Sequence, residues 1–161
     1  MKMTRIMFVC HGNICRSPMA EFIMKKLVSD AGLSDRFVIA SSATSTEEIW
    51  NGVGSPLNRG AAEELSRGGV PYTMRRAVLL SESDYSEYDL FVCMDLRNMR
   101  NIRRIFPSDK ELKIKMLMDF TDRGGEVSDP YYTGNFQKTY KDIYDGCKSL
   151  FEKIMKKANF N

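Results

Sequence analysis

The feature that most constrains this fold is a short apolar segment followed by a polar loop and then by an amphipathic segment. Residues 6–9 form a continuous apolar run, which is typical of a buried parallel strand. From Ala20 to Ala31, apolar residues recur at helical spacing, and Gly32 favours a helix end there. Residues 10–18 are therefore predicted to connect the end of a strand to the start of a helix.

The rest of the chain continues this alternation of strands and helices. Further strands are predicted at residues 37–40, 89–94 and 114–118, and helices at 56–66, 96–105 and 136–154. Residues 41–55 and 119–132 are polar and contain glycine, so we expect loops there. The pattern predicts an α/β fold, with one domain over residues 1–161 and a four-stranded parallel sheet carrying helices on both faces. Ligands bind such sheets beyond the carboxyl ends of the strands.

Composition excludes several classes of function. The 161 residues carry 24 basic and 21 acidic side chains, which is too even a balance to indicate a nucleic-acid partner. No stretch approaches the roughly 20 apolar residues of a membrane span, so cytoplasmic residence is the expectation. The four cysteines form no Cys-x-x-Cys pair and His11 is the single histidine, so we expect no zinc site, no other metal and no cofactor. The sequence leaves the oligomeric state open.

The loop after the first predicted strand has the composition of a phosphate-binding loop. A helix start presents unpaired backbone N–H groups and the positive end of the helix dipole, which together favour an anion. Ser17 is predicted to be the N-cap, with Pro18 at the first helical position. Gly12 can adopt a left-handed conformation, and Asn13 tolerates one. Such a loop can turn its amides inward around a phosphate group.

Two side chains would make this loop reactive. Arg16 offers a fork of donors that matches two phosphate oxygens. Cys10 lies at a strand end beside a helix start and an arginine, which favours the thiolate, and the Ser17 hydroxyl could stabilise it. The implied chemistry is attack on phosphorus, a phosphocysteine intermediate and hydrolysis by water.

This chemistry also requires an acid for the leaving oxygen and a base for the water. Because the only histidine lies beside the nucleophile, a carboxylate is favoured for both steps. Asp129 lies in a polar loop at the predicted binding edge and is followed by Pro130, Tyr131 and Tyr132. The two tyrosines are predicted to flank a slot for an aromatic ring.

These two segments resemble the low-molecular-weight protein tyrosine phosphatases. Residues 9–18 match the family signature, residues 129–132 match its general-acid loop, and the resemblance extends over nearly the whole chain, including residues 41–43 and 93–95. It implies that Cys10 is the nucleophile, Arg16 binds phosphate, Ser17 hydrogen-bonds the thiolate and Asp129 is the acid and then the base. It also implies that Asn13 braces the loop.

The resemblance completes the set of candidate site residues. The expected substrate-binding residues are His11, Gly12, Asn13, Ile14, Cys15, Trp50, Tyr131 and Tyr132. Cys15 matches a second cysteine that pairs reversibly with the nucleophile, although simple packing remains an equal alternative. Many relatives carry a histidine where this chain has Arg75. Arginine cannot replace imidazole as a partially charged hydrogen-bond hub, so the resemblance does not carry the role of that histidine in tuning the loop through Asn13 and Ser41 over to this position.

The predicted function is hydrolysis of aryl phosphate monoesters, with a phosphotyrosine protein or a small aryl phosphate as the substrate. Protein-arginine phosphatases are similar but carry threonine at the position of Ile14. An apolar side chain there suits a flat phenol, whereas a hydroxyl can bind a guanidinium. Related arsenate reductases use extra cysteines in a mobile segment, whereas Cys93 and Cys147 fall on a predicted strand and helix. A non-catalytic phosphate-binding or redox-sensing module is the remaining alternative, and it would require neither the thiol nor the acid.

Overall fold

The computed structural model describes residues 2–159. The strands are β1 (Thr4–Cys10), β2 (Phe37–Ala43), β3 (Ile49–Trp50), β4 (Val53–Gly54), β5 (Leu90–Cys93) and β6 (Ile114–Met116). Four of them form one sheet in the order β2-β1-β5-β6, and every pairing within it is parallel. The other two, β3 and β4, form a short antiparallel hairpin. The predicted α/β fold with a four-stranded parallel sheet is confirmed.

In the described part of the chain, six α-helices accompany these strands. They are α1 (Arg16–Asp30), α2 (Arg59–Arg67), α3 (Asp84–Glu87), α4 (Leu96–Ile105), α5 (Pro130–Thr133) and α6 (Phe136–Asn159). Short 3-10 turns occupy Ser34–Arg36 and Leu117–Phe120. Within residues 2–159, none of the helices is both long enough and apolar enough to cross a bilayer.

The helices cover both faces of the sheet, as predicted. Alternate side chains of β1 point in opposite directions, so Ile6 and Phe8 join one core while Met7 and Val9 join the other. The first core is completed by α1, α2 and α6. The second is completed by α4 and by the rings of Phe91, which precedes α4 in the chain, and Phe106, which follows it. All four of these β1 side chains are at most 5% exposed, which accounts for the apolar run in the sequence.

Several element boundaries differ from the sequence predictions. Helix α2 begins at Arg59 instead of residue 56 because the Asn58 side chain accepts hydrogen bonds from the Gly60 and Ala61 backbone N–H groups. Strand β6 ends at Met116, where the chain turns into a 3-10 helix. The predicted loop at 41–55 contains the end of β2 and the β3–β4 hairpin, and the loop at 119–132 ends in α5.

Candidate active site

Cys10 is the last residue of β1, at the carboxyl edge of the sheet, and its side chain is almost fully buried. Its sulfur lies 3.0 Å from Ser17 Oγ and accepts a 3.4 Å hydrogen bond from the Ser17 backbone N–H. The first turn of α1 therefore directs donors at the sulfur, an arrangement that favours a negative charge there.

The prediction that Ser17 is the N-cap of this helix is wrong. Helix α1 begins at Arg16, with Cys15 in the N-cap position and no side-chain cap. The Ser17 hydroxyl is unavailable for capping because it accepts a 2.8 Å hydrogen bond from Asn13 Nδ2 and lies against Cys10 Sγ. Pro18 still falls in the first turn, where a backbone N–H has no partner within the helix.

Asn13 adopts the left-handed conformation expected of the loop, with φ of 61°. Its Nδ2 donates to Ser17 Oγ and to Ser41 Oγ, at 2.8 and 3.0 Å. Gly12 does not share this conformation. Its missing side chain instead makes room for Glu48, whose Cγ would lie 3.0 Å from a Cβ at Gly12.

Arg16 is 2% exposed and lies below the loop. Its Nη1 donates to Asp95 Oδ2 at 2.7 Å and to the Val127 carbonyl at 2.9 Å, and its Nη2 lies 3.4 Å from Asp129 Oδ2. Burial acts to lower the pKa of the guanidinium, but the negative charges of Cys10, Asp95 and Asp129 outweigh it and raise that pKa. The side chain is therefore a fixed cation at the base of the cleft.

Asp129 lies at the N-cap of α5, opposite the phosphate-binding loop. Its Oδ1 accepts from the Tyr131 backbone N–H at 3.0 Å, which leaves Oδ2 facing Arg16. Tyr131 and Tyr132 follow on the same short helix with their rings 5.1 Å apart and nearly perpendicular. Both rings are largely exposed, and both line the cleft above Cys10.

The structure brings most of the predicted substrate-binding residues into one cleft. Those that line it are His11, Gly12, Asn13, Ile14, Cys15, Tyr131 and Tyr132, together with Cys10, Arg16 and Asp129. Ser17 lies behind the sulfur instead of in the cleft wall. Trp50 does not line the cleft: it lies on the β3–β4 hairpin with 76% of its surface exposed.

Five residues in or behind the cleft have no role in the sequence analysis. Glu47, Glu48, Asn58 and Phe136 line the cleft, and Asp95 holds Arg16 from behind. Glu47 Oε2 lies 2.5 Å from His11 Nε2, which joins the loop to the segment after β2. Of the five, Asp95 is the one whose position the sequence predicts, because it directly follows a predicted strand at the carboxyl edge of the sheet, although the sequence gives it no role.

The remaining thiols differ from Cys10 in their surroundings. Burial raises the pKa of the Cys15 thiol to about 12, and the negative charges of Cys10 and Asp129 act in the same direction. Burial also raises the pKa of Cys93 and of Cys147, neither of which lies in the cleft. All four cysteines are free thiols. Across residues 2–159, no cluster of histidine, cysteine and acidic side chains is suited to a metal ion.

Comparison with known sequences identifies relatives along nearly the full chain. The family model for low molecular weight phosphotyrosine protein phosphatases matches residues 5–159. The low molecular weight protein-tyrosine-phosphatase YfkJ of Bacillus subtilis is 35% identical over 156 residues, covering 96% of this chain and 97% of YfkJ. PtpA of Staphylococcus saprophyticus, which has the same description, is 37% identical over 158 residues, covering 98% of this chain and 97% of PtpA.

Solved structures show the same fold. The crystal structure of YfkJ matches with a TM-score of 0.90 at 34% identity and covers 98% of both chains. Wzb of Vibrio vulnificus, solved in complex with benzylphosphonate, matches with a TM-score of 0.80 at 25% identity and covers 94% of this chain and 99% of Wzb. The family match and the relatives above 30% identity confirm the resemblance, and this chain belongs to the low molecular weight phosphotyrosine protein phosphatases, a family of enzymes.

Proposed function

We propose that this phosphatase hydrolyses phosphotyrosine and related aryl phosphate monoesters through a phosphocysteine intermediate on Cys10. The observation that carries the proposal is the placement of Cys10 Sγ. It accepts a hydrogen bond from the Ser17 backbone N–H, in a cleft that Arg16 and Asp129 also line. A non-catalytic phosphate-binding module would need neither this buried thiol nor the carboxyl group facing it.

In the first step, the Cys10 thiolate attacks phosphorus and the bond from phosphorus to the phenolic oxygen breaks. Ser17 supports the thiolate, since its hydroxyl accepts from Asn13 Nδ2 and keeps its own proton for the sulfur, 3.0 Å away. The same contacts favour Cys10 as the leaving group when the intermediate is hydrolysed. Serine at position 10 could not replace it, because an alkoxide is a far poorer leaving group than a thiolate.

Arg16 and the loop amides would carry the charge of the transferring phosphoryl group. Asp95 and the Val127 carbonyl occupy Arg16 Nη1, and Asp129 Oδ2 lies 3.4 Å from Nη2, so the Nε proton and the second Nη2 proton remain for two phosphate oxygens. Because these donors are fixed before the substrate binds, they need little reorganisation during the reaction. This arrangement supplies the electrostatic stabilisation that a metal ion provides in other phosphatases.

Asp129 would transfer the protons. Its carboxyl group donates a proton to the phenolic oxygen as the phosphorus–oxygen bond breaks, which leaves a carboxylate. That carboxylate then takes a proton from a water molecule as the water oxygen attacks phosphorus and the sulfur–phosphorus bond breaks. The products are inorganic phosphate, the free phenol and a regenerated Cys10 thiolate with a protonated Asp129.

The cleft wall favours an aryl leaving group. Tyr131 and Tyr132 line the cleft on one side, and Ile14, in the loop between β1 and α1, also lines it. A flat ring would therefore be enclosed by aromatic and aliphatic surface. Wzb binds benzylphosphonate, in which one methylene group joins the phosphonate to an aromatic ring, and its fold is the same. The natural partner on this proposal is a phosphotyrosine-bearing protein.

The two catalytic alternatives are less well supported. A guanidinium phosphate would gain from a hydroxyl at position 14, whereas Ile14 is aliphatic. An arsenate reductase needs accessible further cysteines, whereas Cys93 and Cys147 are fully buried. Comparing turnover of phosphotyrosine and phosphoarginine peptides tests the first alternative, and a thioredoxin-coupled arsenate assay tests the second.

Cys15 would serve as a redox partner. It lines the cleft with Cys10 and stays protonated at neutral pH, so a peroxide reacts first at the Cys10 thiolate and oxidises it to a sulfenic acid. The Cys15 thiol then condenses with that sulfenic acid, which releases water and forms a reversible disulfide. Such a pair suits the reducing cytoplasm, where the disulfide is opened again. Peroxide treatment followed by peptide mapping should find this disulfide in the wild type and irreversible oxidation of Cys10 in Cys15→Ser.

The decisive experiment compares hydrolysis of p-nitrophenyl phosphate and phenyl phosphate by three variants. Cys10→Ser should be inactive on both substrates. Asp129→Ala should be slowed more on phenyl phosphate, whose leaving oxygen is more basic and depends more on the acid. Asp122→Ala, an exposed carboxylate in the same connecting segment, is the matched control and should retain activity. Wild-type activity in Cys10→Ser would end the proposal.

A further inference from the structure

Arg75 reaches the back of the phosphate-binding loop from a distant segment. Its backbone carbonyl accepts a 2.9 Å hydrogen bond from the Leu57 N–H, which fixes the chain at this point. Its Nη2 donates to Asn13 Oδ1 at 2.7 Å, and its side chain is only 17% exposed. Longer contacts of 3.5 Å join the guanidinium to the Asn13 and Ser41 carbonyls.

This contact sets the direction of a chain of hydrogen bonds that ends at Cys10. Arginine has only donors, so the oxygen of the Asn13 amide must face Arg75 and the Nδ2 must face away. The Val78 N–H reinforces this orientation by donating to the same oxygen at 3.1 Å. Asn13 Nδ2 then donates to Ser17 Oγ at 2.8 Å, which leaves the Ser17 proton for Cys10 Sγ at 3.0 Å.

A second branch anchors the same amide to α1. Asn13 Nδ2 also donates to Ser41 Oγ, and the Ser41 hydroxyl donates a 2.6 Å hydrogen bond to Glu21 Oε1. Glu21 is buried, pairs with Lys25 at 2.6 Å and lies 3.9 Å from Arg75 Nε. The carboxylate therefore holds both the guanidinium and the hydroxyl network in place.

The charged groups that face Arg75 are Glu21 from α1 and Cys10 from β1, whereas Asn13 and Ser41 are neutral. Burial lowers the pKa of Arg75, and the charges of Glu21 and Cys10 act against that shift. A guanidinium keeps its proton throughout the neutral range even when its pKa is lowered, whereas an imidazole would lose it. The donor to Asn13 thus stays charged over the whole working pH range.

We propose that Arg75 is a positioning residue for the nucleophile: it holds Asn13 in its left-handed conformation and orients the Asn13 amide so that the Ser17 proton points at the Cys10 sulfur. The inference rests on the proposed role of Cys10 as the nucleophile. Because the guanidinium stays charged through the neutral pH range, the hydrogen bonds that it orients toward the Cys10 sulfur would not change with pH in that range.

The test follows the alkylation of Cys10 by iodoacetamide, measured by mass spectrometry between pH 4 and 9, in parallel with kcat/KM for p-nitrophenyl phosphate. Arg75→Met should move the midpoint of the alkylation curve, and the acidic limb of kcat/KM, about one pH unit upward, because a charge-assisted hydrogen bond in the chain is lost. Arg75→Lys keeps the charge without the planar fork and should give a smaller upward shift. Arg76→Met is the matched control, because Arg76 donates to the Gly54 carbonyl and not to Asn13, and it should match the wild type.

A double mutant separates positioning from general destabilisation. Since Arg75 acts through Ser17, adding Arg75→Met to Ser17→Ala should shift the midpoint no further than Ser17→Ala does alone. Circular dichroism and thermal unfolding establish that each variant is folded, and Arg75→Lys carries the test if Arg75→Met is not. Folded Arg75 variants with wild-type alkylation and activity profiles would overturn the inference, and so would additive shifts in the double mutant. Failure of the proposed function looks different, because wild-type Cys10 would then alkylate no faster at pH 7 than an ordinary thiol.

Discussion

Asp95 uses its two carboxylate oxygens for two different partners. Its Oδ2 accepts from Arg16 Nη1 at 2.7 Å, and its Oδ1 accepts from the Asn98 backbone N–H at 2.8 Å. The second contact caps α4, and the Asn98 side chain completes a capping box with the Asp95 backbone. One residue therefore couples the start of a helix to the orientation of the Arg16 guanidinium.

This double use predicts a selective effect of Asp95→Asn. Asparagine keeps a side-chain oxygen for the helix cap but removes the charge that holds Arg16. We expect kcat/KM for p-nitrophenyl phosphate to fall by roughly tenfold to a hundredfold, because a small displacement of the guanidinium misplaces the phosphoryl group. Steady-state kinetics measure the effect, with Asp122→Asn as the control. Unchanged kinetics in a folded Asp95→Asn protein would contradict the role assigned to this pair.

The sequence predicts those parts of the site that depend on local pattern. Cys10 follows an apolar run and precedes helical spacing, so its place at the edge of the sheet follows from the nearest 20 residues. The boundaries of α4 also match, since its amphipathic stripe begins directly after a capping aspartate. In both cases, the local preference and the tertiary structure agree.

The contacts that the sequence does not predict join residues far apart in the chain. Arg16 and Asp95 are separated by 79 positions, and Asn13 and Arg75 by 62. Such pairings depend on how the elements pack and not on any periodic pattern. The misassigned N-cap has the same origin, because Ser17 has a local preference for capping that two partners in the folded protein override.

The pKa of Cys15 predicts a distinctive response to pH. An ordinary thiol with a pKa of 9.0 is mostly ionised above pH 10, but a thiol with its pKa raised to about 12 remains protonated there. In Cys10→Ser, the contribution of the Cys10 charge to this shift is lost, but burial, its largest cause, remains. The rate of Cys15 alkylation should therefore keep rising above pH 9 without a plateau. Peptide mapping by mass spectrometry after timed iodoacetamide treatment measures this rate. A plateau near pH 9 would show that burial does not restrain this thiol.

Asn58 offers a test that separates stability from activity. Its Oδ1 caps α2 through Gly60 and Ala61, while its backbone N–H donates to the Ile14 carbonyl at 2.9 Å. Asn58→Ala should lower the free energy of unfolding by about 1 kcal/mol, since the cap is lost. The backbone contact to the loop survives, so kcat/KM should stay near the wild-type value.

Urea unfolding and steady-state kinetics check both parts of the Asn58 prediction. Asn58→Ser, which keeps a capping oxygen, is the control and should recover most of the lost stability. A large loss of activity at full stability would instead place the Asn58 side chain in substrate binding.

The two exposed tyrosines and Trp50 are predicted to act at different distances from the phosphate. Tyr131 and Tyr132 line the cleft, so replacing Tyr132 with alanine should raise KM for p-nitrophenyl phosphate roughly threefold to tenfold through the lost aromatic contact. Trp50 lies outside the cleft lining on the β3–β4 hairpin, next in the chain to a segment that includes Glu47 and Glu48. We therefore expect it to contact residues that flank a phosphotyrosine, not the phosphotyrosine ring itself.

Trp50→Ala should therefore leave KM for p-nitrophenyl phosphate unchanged and raise KM for a phosphotyrosine peptide of about ten residues, since only the longer substrate extends past the cleft. Comparing both substrates on Tyr132→Ala and Trp50→Ala gives the four values needed. If Trp50→Ala raised KM equally for both, the indole would have to close over the ring when the substrate binds, and the hairpin would belong to the catalytic cleft. If it changed neither, the indole would take no part in binding the flanking peptide, and the prediction for Trp50 would be wrong.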